Sequence, residues 1–130
     1  MKRLLTAVAL LCSLTLHAQR GEYNFDSDWH YTYEGTSHVA TLPRAFNEDY
    51  AYRVAIDNLP DDTVRYTKTF RLPRKAKGKK VFIEFEGARQ SATVWLNGHR
   101  VGMSENGVMA FGFDLTPYIN YRGDNRLEVL

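Results

Sequence analysis

Cysteine is almost absent from the chain. Its 130 residues hold one, Cys12, inside an amino-terminal apolar stretch. The remainder therefore has no disulfide framework, no thiolate metal site and no thiol nucleophile. Charge of one sign is lacking too, since a formal net charge of +2 gives no argument for nucleic acid or an acidic membrane surface as partner. Helical periodicity is scarce. Also missing are GxSxG, HExxH, a phosphate-cradling glycine loop and any His pair at metal-ligand spacing. The four histidines, His17, His30, His38 and His99, are scattered, and His99 reads as an exposed turn residue. Nothing here calls for a cofactor, and no metal site can be named.

Residues 1–18 have the form of an export signal: Lys2 and Arg3, an apolar centre from Leu4 to Leu16, and Ala18 before a cut ahead of Gln19. The apolar run is too short to span a bilayer, so no membrane association is expected after cleavage. Leu11 before Cys12 argues against a lipid anchor. The expected location is periplasmic or extracellular, with residues 19–130 as one domain.

What the chain does have is aromatic residues and alternation. Eight Tyr and seven Phe favour strands. Residues 80–116 are the centre of the pattern. Val81, Ile83 and Phe85 share one face and Glu84 and Glu86 the other; Ala92, Val94 and Leu96 repeat the period before Asn97-Gly98. Asn-Gly in that setting predicts a type I′ hairpin, because both central positions need positive φ. A long polar loop and the run Phe111, Phe113 follow.

Upstream, residues 22–33 predict an edge strand with Tyr23, Phe25, Trp29, Tyr31 and Tyr33 at odd positions, and residues 39–42 a short strand stopped by Pro43. Residues 47–54 could hold a helical turn before the loop at Pro60. Residues 64–72 alternate, with Val64, Tyr66, Phe70 and Leu72 on one face. The basic turn of Arg74, Lys75, Lys77, Lys79 and Lys80 reads as a solvated loop protecting a sheet edge. Thr116-Pro117 predicts a helix start with Thr as cap. Arg122-Gly123-Asp124-Asn125 reads as a turn rather than an adhesion motif. Residues 127–130 begin another strand, and the sequence stops inside it, so a truncated domain of a longer protein is expected. Short strands at close spacing predict an all-β chain, an antiparallel β-sandwich of jelly-roll type.

Little catalytic chemistry is legible. Glu48-Asp49 and Asp61-Asp62 are adjacent acidic pairs, which more often solvate a loop than form the carboxylate pair of a glycosidase. Trp29, Tyr31, Trp95, Tyr50 and Tyr52 could stack on a sugar ring, although Trp95, inside a strand, is expected to pack between sheets.

Four stretches carry a resemblance: LPRAFNEDYAYRVAIDNLPDDTVRYTKTFRLP, KGKKVFIEFEGARQSATVWLNGHRVG, NGVMAFGFDLTPYI and GDNRLEVL. In that order they resemble the amino-terminal sugar-binding domain of glycoside hydrolase family 2, which includes β-galactosidases, β-glucuronidases and β-mannosidases. The resemblance covers about residues 23–130. It implies a jelly roll of the galactose-binding-domain type, followed in the parent protein by an immunoglobulin-like domain and a TIM barrel. The two catalytic Glu residues of a retaining mechanism would lie in that barrel, beyond Leu130. It also implies that a loop of this domain reaches the substrate. The matching residues are Arg44, Phe46, Asn47, Glu48 and Asp49, with Asn47, Glu48 and Asp49 the substrate-binding candidates and Asn47 first among them as a hydroxyl-binding amide. As a loop residue Asn47 also suits a turn or cap.

Two departures stand out. Members often carry Trp-Tyr-Arg-Lys before the Thr-Phe pair, where this chain has Arg65 and Thr67 in place of the Trp and the Arg. Glucuronidase-like members carry a His and Gly-Gly-Tyr in the long loop, where this chain has Ser104, Asn106, Gly107 and Val108. The second departure tilts the expectation towards a β-galactosidase acting on terminal β-galactosides. The alternatives are a free-standing carbohydrate-binding module and a purely structural domain.

Overall fold

The computed structural model describes residues 20–48 and 62–130. The expected export signal, the helical turn over 47–54, Tyr50, Tyr52 and Asp49 lie wholly or largely outside the described residues. Eight strands occur among them: β1 (Trp29–Tyr33), β2 (Thr36–Ala40), β3 (Tyr66–Phe70), β4 (Phe82–Phe85), β5 (Ala92–Leu96), β6 (His99–Ser104), β7 (Phe111–Asp114) and β8 (Asn125–Val129). Six form one sheet in the order β2-β1-β3-β8-β5-β6, and β4 pairs with β7 in a second sheet. Every pairing is antiparallel. The two sheets enclose Trp29, Ile83, Val94, Leu96, Leu115 and Leu127, with Val81, Phe85 and Phe113 packed against them. This is the expected all-β antiparallel sandwich.

The alternation sorted faces correctly where strands are regular. Ala92, Val94 and Leu96 of β5 are buried and Ile83 of β4 is buried, whereas Glu84 is exposed. Asn97 and Gly98 have φ of 52° and 83°, so the β5–β6 connection turns through two left-handed residues as a type I′ hairpin requires.

Several expectations need correction. The first strand begins at Trp29, and it is interior, between β2 and β3. Residues 20–28 are not strand, and Asp26 O accepts from Leu42 N at 2.9 Å. Trp95 does not pack between the sheets. It is on the face of β5 opposite Val94 and Leu96, half-buried, with the Arg65 guanidinium 5.1 Å from its ring centre. Thr116 is not a cap: Leu115 holds that position before a single 3₁₀ turn, Thr116–Tyr118. The Thr116 hydroxyl accepts from Val81 N at 2.9 Å, and Asp114 Oδ1 accepts from Thr116 N at 2.9 Å. The turn thereby ties the end of β7 to the start of β4.

The alternation of β3 also puts Lys68 on the apolar face, beside Tyr66 and Phe70. It is 8% exposed. Its ammonium lies 4.7 Å from the Phe25 ring centre and donates to Ser27 O. A buried cation is costly unless paired, and here aromatic faces and a carbonyl surround it.

Candidate functional site

The candidate loop is built on an aromatic shelf. Inward-facing Tyr31 stacks on His38 of β2, ring centres 4.9 Å apart, and packs against Tyr66 of β3 at 5.0 Å. Residues 42–48 run along this row, from Leu42 beside Asp26 to Phe46, whose ring centre is 4.9 Å from that of Tyr33. The Tyr66 hydroxyl donates to Arg44 O at 3.4 Å. Burial, with Tyr31 adding to it, raises the Tyr66 pKa above its ordinary 10.0. Desolvation raises Tyr33 likewise, with Glu34 and Asp62 contributing.

Of the three named substrate-binding candidates, two are placed by the structure. Glu48 N donates to Ala45 O at 3.3 Å, closing a turn over residues 45–48, and Glu48 Oε2 is 3.7 Å from Arg44 Nε. This pairing draws the Glu48 carboxylate into the loop's own framework. Asn47 is in the same turn, half-buried and engaged with neighbouring groups. Asp49 is outside the described residues. The loop presents an amide and a paired carboxylate, groups suited to binding hydroxyls.

Of the stacking candidates, Tyr50 and Tyr52 lie outside the described residues, and two of the others are withdrawn from solvent. Trp29 and Tyr31 are 2% and 5% exposed, and their rings belong to the core. The long loop after β6 is ordered by its own side chains: Ser104 Oγ accepts from Asn106 N at 3.5 Å and Asn106 Oδ1 from Val108 N at 3.1 Å. Gly107 lies against Gln90, where a Cβ would come within 2.7 Å of the Gln90 nitrogen. Val108 and Met109 project into solvent at the tip. His99 is exposed as expected and stacks on Tyr118 at 4.9 Å. In the Arg-Gly-Asp turn, Arg71 Nε and Nη2 both donate to Asp124, so this carboxylate is occupied. Among the described residues no three or more His, Cys, Asp or Glu side chains converge as metal ligands. No described helix is long and apolar enough to cross a membrane.

A six-stranded and a two-stranded antiparallel sheet packed on one core define an all-β sandwich of jelly-roll type. Comparison with known proteins places it further. Residues 22–130 match the family described as glycosyl hydrolases family 2, sugar binding domain, and the chain belongs to that family. A β-glucuronidase of Formosa agariphila is 35% identical over 131 residues, covering 86% of this chain and 13% of that protein. A β-galactosidase large subunit of Leuconostoc lactis is 40% identical over 83 residues, covering 63% of this chain and 13% of that protein. Among solved structures, a Bacteroides uniformis β-glucuronidase superposes with a TM-score of 0.77 at 26% identity, over 85% of this chain and 14% of that one. The chain thus spans about an eighth of the length of these relatives.

Proposed function

We propose that this chain is the amino-terminal domain of an exported, retaining exo-glycosidase that hydrolyses terminal β-glycosides, with a β-galactosidase as the first assignment. The observation that carries the proposal is the family match over residues 22–130, joined to relatives that are β-glycosidases of much greater length. The nucleophile and the acid/base Glu are assigned to chain beyond Leu130, in a barrel with the two carboxyls roughly 5 Å apart, the spacing for retention. An immunoglobulin-like domain would intervene. The role of residues 44–49 is then to border the sugar pocket, with the Asn47 amide donating to and accepting from ring hydroxyls and Glu48 and Asp49 beside it. A β-glucuronidase is the second reading, favoured by the 35% identity over 86% of the chain.

The test is hydrolysis of aryl β-galactoside and aryl β-glucuronide by the full-length protein. Preferred turnover of the galactoside upholds the first assignment, and preferred turnover of the glucuronide replaces it with the second. Affinity for galactosides with no turnover of either would identify a carbohydrate-binding module and overturn both. Asn47→Ala should raise KM about tenfold with kcat little changed, the mark of a binding contact held equally in ground and transition states. Amino-terminal sequencing of the exported protein should begin at Gln19.

A further inference from the structure

The outward face of the six-stranded sheet is not evenly polar. His30, Tyr31 and Thr32 of β1, Ser37 of β2, Arg65 just before β3, Thr67 of β3 and Arg126 of β8 surround a depression of about 320 Å³. The register explains why they meet. His30 is opposite Thr67, Thr67 opposite Glu128, and Thr69 opposite Arg126, so alternate residues of neighbouring strands form rows across this face. We propose that this groove binds an anionic sugar residue, carboxylated or sulfated.

Three features support that occupant. Glu128 Oε2 accepts from Arg65 Nη1 at 3.2 Å, and Glu128 Oε1 lies 3.5 Å from Arg126 Nε. One carboxylate serves two guanidiniums, so a positive charge remains uncompensated. Each Arg carries five N–H donors in a planar fork that matches a carboxylate or sulfate two bonds at a time. Second, the cation is held in advance. Arg65 lies between Glu128 and the face of Trp95, 5.1 Å from the ring centre, so less side-chain freedom is lost when an anion docks. This gives outward-facing Trp95 a task that burial between the sheets would not. Third, apart from Tyr31 the remaining wall is hydroxyl and imidazole. Ser37, Thr32 and Thr67 can each donate and accept, as ring hydroxyls demand. Thr67 Oγ1 makes a long bond of 3.5 Å to His30 O. The volume is at the lower end for small-molecule clefts, which suits one sugar ring.

An ordinary solvated sheet face would bind nothing in particular, and the measurement separates the two. The full-length protein is titrated calorimetrically with galacturonate, galactose 6-sulfate, galactose and inorganic sulfate, alongside Arg65→Gln, Arg126→Gln and Arg126→Lys. The expected result is that at least one anionic sugar binds about tenfold tighter than galactose and that each Gln variant removes about tenfold of that affinity. Arg126→Lys should remove less, since it keeps charge but not the fork. Comparing the carboxylated with the sulfated sugar identifies which anion is taken. Ser37→Ala, on exposed edge strand β2, is the second measurement should an arginine variant melt early. It should weaken the sugars about threefold and leave inorganic sulfate unchanged. Three results would overturn the proposal: anionic sugars no tighter than galactose, affinity indifferent to Arg65, Arg126 and Ser37, or inorganic sulfate binding as well as the sugars. Turnover of aryl glycosides reads the glycosidase assignment separately, so either can fail alone.

Discussion

Asn97 and Asn125 are joined side chain to side chain. Asn97 Nδ2 donates to Asn125 Oδ1 at 2.9 Å, linking the tip of the β5–β6 hairpin to the buried first residue of β8. Asn97 Oδ1 accepts from Arg126 N, and Asn97 Nδ2 also donates to Tyr118 O, both at 2.9 Å. Asn125 is wholly buried and fully used: its Oδ1 accepts from Asn120 N at 2.7 Å and its Nδ2 donates to Asn120 O at 2.9 Å.

Asn125→Leu should therefore destabilise the fold by about 1–3 kcal/mol, because it removes the wholly buried amide that bonds Asn120 N, Asn120 O and the Asn97 amide and puts an apolar side chain among those polar groups. Chemical denaturation of the two proteins measures this. Asn97→Gly keeps the left-handed backbone and loses only the side-chain bonds. It should cost less, about 1–2 kcal/mol, and a cost near zero would show that the amide link is unimportant.

Gly102 is where β6 meets the second sheet. A Cβ there would come within 2.3 Å of Phe113 Cε1. Gly102→Ala should cost about 1–3 kcal/mol from overpacking. Phe113→Leu should restore part of that loss, giving a non-additive double-mutant cycle. Simple addition of the two costs would place the strain elsewhere.

Lys68 fastens residues 20–28 to the sheet through Phe25 and Ser27 O. Lys68→Met keeps most of the stem but loses the cation–π contact and leaves the carbonyl unpaired. A loss of about 1–3 kcal/mol is expected, with faster proteolytic cleavage within 20–28. Unchanged cleavage would show that this segment is held by Trp29 Nε1, which donates to Phe25 O at 2.9 Å.

Two aspartates are expected to contribute to the loss of stability in acid. The Thr116 hydrogen bonds hold the Asp114 carboxyl below its ordinary 3.8, and the Arg71 hydrogen bond does the same for Asp124. A carboxyl depressed in the folded state contributes stability above its unfolded pKa and loses that contribution as pH falls through the folded value. Stability should be flat from neutrality to about pH 5 and fall below about pH 4. Asp114→Asn and Asp124→Asn should each flatten the fall in a urea–pH series, and an unaltered slope would assign it to other carboxylates.

Much of this molecule was determined locally. Residues 92–98 carry period-two alternation and an Asn-Gly pair, and both act over a few bonds, so burial of Val94 and Leu96 and the left-handed turn follow from sequence. The alternation of β3 contains Lys68 as plainly as Tyr66, and the signal for a buried lysine was there in the Tyr-Thr-Lys-Thr-Phe run. Strand pairing was not legible, because it depends on which distant segments close together. Hence β4 falls in the second sheet with β7, β1 is interior, and Arg65 comes to lie over Trp95, whose outward direction the alternation of Val94 and Leu96 already implied. The candidate loop shows the same division. Asn47 and Glu48 could be named from the residues that match the family, and the Arg44–Glu48 pair is a local contact four residues apart, but the Tyr31–Tyr66 shelf exists only once β1 and β3 are side by side. Sequence by itself determined the β-sandwich class, the faces of its regular strands and its family. Tertiary structure decided which residues from separate strands share a face, and therefore where Arg65, Arg126 and Glu128 converge, because cross-strand register brings together groups that no local spacing connects.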